Sequence, residues 1–281
     1  MPRTAVPSSV RWLIGMELAR HRNTAGVTLA EAARLSGIPK PSIGHLESGR
    51  MRQDADQIFT LLSGYQTDWA EIDRLTALAA RADEAAWWAP WARVVPDWFA
   101  TFVGLEGLAI DEFVYEPTLV PELLQTADYA RGLTEASPLV PPAHRERHVG
   151  LRMARAARLD DAAAPLGLHA VITEAALRLV VGDPEQHRDQ LRHLMDMSER
   201  DNVVIQILRP EDGQHAAAHG RVTILGLGDA PSLVYLEVPH GAVYLSDPQD
   251  VETYMVVAES LQRVALDVDD SAALLTSMIS G

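Results

Sequence analysis

The chain has 281 residues, 47% hydrophobic and 22% charged, a globular composition that excludes disordered and collagen-like chains and predicts one or two domains. It has no cysteine, which excludes disulfide scaffolds and thiol nucleophiles, and no apolar run of signal-peptide or transmembrane length, so we expect a cytoplasmic protein without membrane contact. The net charge of −15 argues against a nucleic-acid binder, but it is unevenly distributed, with +3 on residues 1–66 and −18 on the remainder.

Three short helices are predicted in the basic N-terminal segment. The first covers about Trp12–Asn23. The second begins at Thr28-Leu29-Ala30-Glu31, a capping box, and ends at Gly37, which suits the left-handed position after a helix. The third begins at Pro39-Lys40-Pro41, where Lys40 is predicted as the N-cap because a residue before proline avoids the α region. A helix, a glycine turn and a second helix form the geometry that places the second helix in the major groove of DNA.

This segment resembles the helix-turn-helix of the phage-repressor (Cro/XRE-like) family. The residues that carry the resemblance are Thr28, Ala33, Gly37, Ile38, Ser42, Ile43, Leu46, Glu47, Ser48, Gly49 and Arg50. The resemblance implies a DNA-binding head over residues 8–66. The alternative is a helix-turn-helix used only for packing, and the arginines that follow the third helix disfavour it.

Candidate DNA-contacting residues lie on the third helix and beside the motif. Lys40, Ser42 and His45 are predicted nearest the bases, because the start of the recognition helix points into the groove and these side chains can hydrogen-bond base edges. For Lys40, the one lysine of the chain, simple neutralisation of phosphate is an equal alternative. The residues predicted to contact the DNA backbone are Thr28, Arg50 and Arg52.

Two other features of the head follow from the family resemblance. Arg22 and Glu47 match a buried ion pair that ties the first helix to the third, with two solvated charges as the alternative. Leu29 stands where the family often has a phosphate-contacting glutamine. Pro41 and Gly44 occupy groove-facing positions without offering a hydrogen bond. Direct readout of bases is therefore expected to be thin and supplemented by readout of DNA shape.

The rest of the chain is predicted as a connector followed by an α+β body. Residues 85–100 contain four of the six tryptophans, which favours a packed hinge over an aromatic ligand cage or a dimer contact. We therefore predict a helix-turn-helix domain at 8–66, a helical, tryptophan-rich connector at 67–104 and an α+β domain at 105–281. The predicted fold class is an all-α N-terminal domain followed by an α+β C-terminal domain with an antiparallel sheet.

The elements of the body are predicted from hydrophobic periodicity and turn signals. Helices are expected at Leu105–Tyr115, Glu122–Leu133, Pro142–Leu159, Glu174–Val181, Pro184–Glu199, Pro248–Leu266 and Asp270–Ile279. Strands are expected at Gly167–Ile172, Val203–Leu208, Val222–Leu227, Leu233–Val238 and Ala242–Leu245. Short turns separate the last three strands, which predicts an antiparallel meander.

The body resembles the C-terminal domain, of unknown function, of the WhiJ-like, antitoxin-like actinobacterial regulators. The runs that carry this resemblance include Leu123-Leu124-Gln125-Thr126, Asp128-Tyr129-Ala130-Arg131, Glu174–Arg178, Asn202–Gln206 and Val234–Glu237. The resemblance implies a transcription factor often encoded beside a small partner protein. The acidic body would attract a basic partner, and a small-molecule effector bound in a pocket of the body is the alternative.

We expect no catalytic activity, no metal and no cofactor. His215 and His219 have the spacing of a helical zinc site, but Ala216 replaces the glutamate that would activate water. A metal-dependent enzyme fused to a DNA-binding head is therefore the disfavoured rival. The favoured interpretation is a nucleoid-associated, sequence-specific transcriptional regulator that binds double-stranded DNA as a homodimer.

Overall fold

The computed structural model of the chain describes residues 8–80, 87–217, 220–238 and 240–280. The chain divides into two units. Unit one is drawn from Met1–Pro90 and Val95–Leu105, and unit two from Trp91–Val94 and Glu106–Gly281. Within the described ranges, no helix is long and apolar enough to cross a bilayer.

Unit one is built from helices. They are α1 (Ser9–Thr24), α2 (Leu29–Ser36), α3 (Lys40–Glu47), α4 (Ala55–Gly64), α5 (Trp69–Ala80) and α6 (Asp97–Glu106). The first five share one core, in which Leu18 of α1, Ile43 and Leu46 of α3, Leu62 of α4 and Leu75 of α5 are fully buried. Burial of each such side chain stabilises the fold by about 1.5–3 kcal/mol, so this core holds α2 and α3 in a fixed arrangement.

The capping signals of the second helix are confirmed. The Thr28 hydroxyl accepts a hydrogen bond from the Glu31 amide at 3.2 Å, and the Glu31 carboxylate accepts one from the Thr28 amide at 2.9 Å. Gly37, with φ at +72°, ends α2 in the left-handed conformation. The prediction for the start of the third helix is wrong by one residue, since Lys40 is already helical and Pro39 precedes it. The fixed φ of Pro39 suits that position, and Pro41, in the first turn, has no amide that needs a partner.

Unit two contains a six-stranded sheet with the order β3-β2-β1-β4-β5-β6. Its strands are β1 (Asp111–Glu116), β2 (Gly167–Thr173), β3 (Val203–Leu208), β4 (Val222–Leu227), β5 (Ala230–Val238) and β6 (Gly241–Leu245). The sheet is mixed, because β1, β2 and β3 pair in parallel whereas β1–β4, β4–β5 and β5–β6 pair antiparallel. The antiparallel prediction therefore holds for the meander, while helical crossovers make the other half parallel.

The predicted helix over Leu105–Tyr115 is wrong. Helix α6 ends at Glu106, and β1 follows from Asp111. In the observed register, Phe113 lies between His169 of β2 and Ile224 of β4. Pairing with two remote strands outweighs the weak local preference of this segment, which is how tertiary context overrides propensity in strands.

The helices of unit two pack against the sheet and against one another. They are α7 (Ala127–Ala136), α8 (Arg145–Ala156), α9 (Glu174–Arg178), α10 (Pro184–Ser198), α11 (Pro248–Val264) and α12 (Val268–Ser280). One sheet face packs Tyr115 and Val234 against Leu261 of α11. The helix predicted over Glu122–Leu133 is divided into a 3₁₀ turn and α7, because the Thr126 hydroxyl caps α7 by accepting from the Tyr129 amide at 3.2 Å.

A buried ionic network occupies the opposite sheet face of unit two. The Arg155 guanidinium donates to both carboxylate oxygens of Glu106, at 2.6 and 2.7 Å, and also to Glu122. Burial alone would raise the pKa of Glu122, but the neighbouring guanidiniums outweigh it and lower that pKa. Glu112 of β1 is only 4% exposed, and its Oε2 atom has no hydrogen-bond partner among the described residues. Burial and, secondarily, the Glu106 carboxylate raise the pKa of Glu112 to about 8.

The tryptophan-rich segment contributes side chains to both units. Residues 85 and 86 of this segment lie outside the described residues. In unit one, Trp87 Nε1 donates to the Val103 carbonyl of α6 at 3.3 Å. In unit two, a Cβ atom at Gly150 of α8 would lie 2.9 Å from Trp91 Nε1, so the indole packs closely on that helix. These contacts show tryptophans used for packing within each unit.

Candidate nucleic-acid interface

The exposed face of α3 is set by what the helix buries. Ile43 and Leu46 are fully buried in the core of unit one, and Ala32 of α2 is buried beside them. The α2–α3 turn passes through Gly37, where the positive φ lets the chain reverse within three residues. Because the core fixes both helices, the remaining side of α3 is presented to solvent as one surface.

The predicted base-contacting residues lie on this surface. Lys40 and His45 are exposed, and Ser42 is half-buried. Ser42 and His45 are three residues apart, which places them on the same side of the helix. A Cβ atom at Gly44 would meet nothing within 4 Å, so the surface beside these residues is open. The structure thus brings the three residues onto one accessible helix, and their contacts with bases stay a prediction.

The residues predicted to contact the DNA backbone differ in how accessible their polar groups are. Arg50 and Arg52 are exposed just after α3, where the Met51 amide donates to the His45 carbonyl at 3.2 Å and holds the segment against the helix. Thr28 is engaged in the capping box, and its hydroxyl donates to Glu31 at 2.8 Å. Hydrogen bonds from the Thr28 amide and hydroxyl lower the pKa of Glu31 and leave a carboxylate beside this position. Thr28 therefore acts first as a helix cap.

Arg22 of α1 and Glu47 of α3 form a bidentate ion pair. Arg22 Nε donates to Glu47 Oε1 at 2.6 Å and Nη2 donates to Oε2 at 3.0 Å, with side chains 13% and 10% exposed. Arg22 Nη1 also donates to the Val27 carbonyl at 3.0 Å. The Glu47 carboxylate raises the pKa of Arg22. This pair joins α1, the α1–α2 loop and the end of the recognition helix.

Two residues that the sequence analysis did not identify also position α3. Gln53 is buried, and its Nε2 donates to the carbonyls of Arg11 at 2.9 Å and Leu46 at 2.8 Å. A Cβ atom at Gly15 would lie 2.5 Å from the Glu47 carbonyl oxygen, so α1 crosses the end of α3 at very short range. A glycine inside a helical pattern is a sequence signal for such an approach, whereas nothing in the pattern distinguishes Gln53.

A second ionic cluster in unit one joins α1 to α5. Among the described residues, Glu17, His21 and Glu71 are the one set of potential metal ligands that lie close together. Glu17 already accepts from Arg20 at 2.7 Å and from Arg74 at 2.9 Å. The guanidiniums thus supply the positive charge that these carboxylates require, and the cluster links two helices of the core.

The histidines considered as a zinc site are only partly described. His215 Nε2 lies 3.4 Å from the Tyr115 hydroxyl, in a loop rather than a helix. Ala218 and His219 lie outside the described residues. His215 therefore does not lie on a helix, as a zinc site with helical i,i+4 spacing would require.

Comparison with known proteins finds a family that matches each part of the chain. A family described as "Helix-turn-helix domain" matches residues 13–75, which contain α2, α3 and all the candidate DNA-contacting residues. A second family, described as "Domain of unknown function (DUF5753)", matches residues 99–277. No curated protein matches the chain. The second match covers more than half of the sequence and includes the whole six-stranded sheet.

Proposed function

The chain belongs to the DUF5753 family and carries an N-terminal helix-turn-helix domain, and from this premise we propose that it is a sequence-specific transcriptional regulator. The observation that carries the proposal is the open surface of α3, with Lys40 and His45 exposed and Arg50 immediately beyond. The positive charge of residues 1–66 favours contact with phosphate, while the acidic remainder keeps non-specific DNA away from the rest of the chain. As a DNA-binding regulator without a membrane contact, it would act in the cytoplasm on the nucleoid.

The double variant Lys40→Ala with His45→Ala tests base readout. The double variant should no longer prefer an operator selected from random oligonucleotides over random DNA, because each base contact contributes about 1–3 kcal/mol of discrimination. Arg50→Ala should instead weaken binding to both DNAs and flatten the salt dependence of the affinity. Arg192→Ala is the control, since Arg192 is an exposed arginine of α10 in unit two. Unchanged operator preference in the double variant would contradict the proposal.

We further propose that unit two binds a small basic protein, because the chain resembles the WhiJ-like, antitoxin-like actinobacterial regulators, which are often encoded beside a small partner protein. The net charge of −18 on residues 67–281 supports this proposal, because an acidic surface accelerates association with a basic partner. Co-expression with any small reading frame that neighbours the gene should yield a complex that weakens as salt rises. Failure of the two products to co-purify at low salt would count against a protein partner.

A small-molecule effector is the second candidate for the ligand of unit two. The observation that favours it is a cavity of about 310 Å³ between helices of this unit. A volume of this size lies at the lower end of the range for small-molecule sites. We propose no catalytic role, because Ala216 stands where a zinc protease of the His-Glu-x-x-His type has the glutamate that activates water.

A further inference from the structure

The two edges of the sheet in unit two differ in what covers them. In the strand order, β3 stands at one edge and β6 at the other. At the β3 edge, the Ile207 amide donates to the Ser271 hydroxyl at 2.9 Å, and the Ile207 carbonyl accepts from the Leu266 amide at 2.9 Å. At the β6 edge, Ala242 makes no backbone hydrogen bond with any described residue outside β5. Unit two therefore covers its β3 edge and leaves β6 open at Ala242.

The open edge has the composition that natural edge strands avoid. An exposed edge is usually protected by a lysine, a proline or an inward-pointing charge, because its backbone groups otherwise pair with another strand. The strand Gly241–Leu245 contains no charged residue and no proline. Val243, at its centre, is 46% exposed, and Val238 of β5, on the same face of the sheet, is 42% exposed. An uncharged and partly apolar edge of this kind is suited to pairing with a further strand.

The turn before β6 determines which of its backbone groups point outward. Val238 and Gly241 are register partners with two residues between them, and a two-residue hairpin closes on a hydrogen-bonded pair. Hydrogen-bonded and non-hydrogen-bonded pairs alternate along an antiparallel ladder. Val243 therefore bonds to β5, and the backbone groups of Ala242 point away from it. A further antiparallel strand would form hydrogen bonds with Ala242 and a non-hydrogen-bonded pair at Val243.

The side chains of β6 are complementary in size to the same strand running in the opposite direction. A two-fold axis at Val243 would place two copies of β6 antiparallel, with each Val243 opposite the other. Gly241 of one copy then lies opposite Leu245 of the second copy. In the same register, Ala242 lies opposite Tyr244. Each large side chain thus meets a small one, and such directly opposed pairs are the contacts that stabilise a sheet.

The acidic composition of unit two does not oppose this pairing. The first charged residue after β6 in the sequence is Asp247, four residues from the axis at Val243. At about 3.4 Å per residue, the Asp247 residues of two copies would lie about 27 Å apart, at opposite ends of the paired strands. At physiological salt this separation exceeds the Debye length of about 8 Å, so their repulsion is screened.

We propose that β6 pairs with β6 of a second copy of the chain, antiparallel about Val243, and joins the two six-stranded sheets into one. The second copy fits this edge better than an unrelated strand does, because the order of small and large side chains along β6 is matched to itself. The proposal gives the expected homodimer a surface, and it stands whether or not unit one binds DNA.

A single cysteine at the centre of β6 tests the pairing, because the chain contains no other cysteine. Opposed residues of a non-hydrogen-bonded antiparallel pair have Cα atoms about 4.5 Å apart, a distance that a disulfide spans. Val243→Cys should therefore form a covalent dimer under mild oxidation, and a reductant should reverse it. Val268→Cys is the matched control, since Val268 is 42% exposed at the start of α12, beside the covered β3 edge. A Val243→Cys chain that cross-links no faster than this control would overturn the proposal.

Sedimentation equilibrium of the full chain measures the strength of the pairing. Ala242→Pro removes an outward amide, and edge strands tolerate proline at such positions, so the circular dichroism spectrum should stay that of the wild type. The dissociation constant of the dimer should rise at least about tenfold, because the two copies lose one hydrogen bond each. An unchanged dissociation constant would contradict the proposal.

A pair of charged variants tests the register without a change in the backbone. Val243→Lys and Val243→Glu should each weaken the dimer, because like charges directly opposite each other destabilise paired strands. An equimolar mixture of the two variants should restore dimerisation, since opposite charges then face each other across the axis. A mixture that associates no more tightly than the separate variants would show that Val243 does not face itself.

Two further measurements distinguish this dimer from the other proposed interactions. Cross-linking of Val243→Cys should be unchanged when Lys40→Ala and His45→Ala are also present, so a failure of DNA binding leaves this result intact. A wild-type chain that stays monomeric until a basic protein is added would mean that another molecule covers β6, and it would overturn the pairing of two copies.

Discussion

At the scale of single residues, Glu112 illustrates how the fold opposes ionisation. Its carboxyl group faces Glu106, Glu122, Arg155 and Arg221, and the guanidiniums among these are engaged with other carboxylates. Burial, followed by the Glu106 carboxylate, raises the pKa of Glu112 from 4.5 to about 8. The folded chain therefore binds this proton more tightly than the unfolded chain does.

Glu112→Gln should make the protein more stable than the wild type at alkaline pH. Because the folded pKa exceeds the unfolded one, the stability linked to Glu112 is fully present below 4.5 and is lost as pH rises through about 8. The wild type should lose up to about 1.4 kcal/mol per pH unit in this window relative to the variant. Urea unfolding between mildly acidic and mildly alkaline pH measures the difference, which should grow up to about pH 8 and then level off. Glu185→Gln, at an exposed position, is the control, and a pH-independent difference for Glu112→Gln would contradict the argument.

At the scale of elements, α3 contains a glycine that its own fold does not require. A Cβ atom at Gly44 meets no neighbour, and its φ is not in the left-handed region. Glycine in a helix interior is less favourable than alanine by roughly 0.5–1 kcal/mol. In the proposed function, the missing side chain at Gly44 leaves room for DNA to approach this side of the helix.

Gly44→Ala should raise the thermal stability of the protein and lower its affinity for the operator. The added methyl group gains helix propensity without a clash in the protein, but it protrudes from the groove-facing surface. Thermal unfolding and DNA titration measure the two effects. Gly64→Ala in α4 is the matched control, because a Cβ atom there meets Leu35 Cβ at an ordinary 3.6 Å. Operator affinity that is unchanged in Gly44→Ala would mean that this side of α3 does not face DNA.

The contrast between α2 and β1 shows which elements a sequence can predict. The bounds of α2 are encoded locally, by the Thr28-to-Glu31 capping box and by Gly37, and the structure has both. Whether Asp111–Glu116 forms a strand depends on its pairing with Gly167–Ile172 on one side and Val222–Gly226 on the other. No local sequence pattern encodes that pairing. In the candidate interface, likewise, the sequence predicts which residues at the start of α3 can contact bases. It does not predict the role of Gln53, because that role depends on carbonyl groups of two other segments.

At the scale of the whole molecule, the proposed regulator is expected to act as a homodimer. A single helix-turn-helix contacts one half-site, and dimers gain affinity by occupying two half-sites about 34 Å apart. Light scattering at micromolar concentration should therefore give the mass of a dimer, alone or on operator DNA. A monomer under both conditions would refute this expectation. A DNA fragment with one half-site moved by about half a helical turn is a useful control, since it should lose the gain in affinity.

The order of the two units along the chain and the long-range pairing in the sheet affect how the protein folds during its synthesis. Every residue of unit one precedes β1, so the helical core of unit one is available to fold while the ribosome is still synthesising unit two. By contrast, the centre of the sheet cannot form until β4, in which Ile224 pairs with Phe113 of β1, has been synthesised. Pairing of strands that are this far apart in the sequence is slow. During that interval unit one is folded while unit two is not, so in the proposed function the DNA-binding domain is complete before the domain that would regulate it. A chain that is released early would compete for operators without responding to any ligand of unit two.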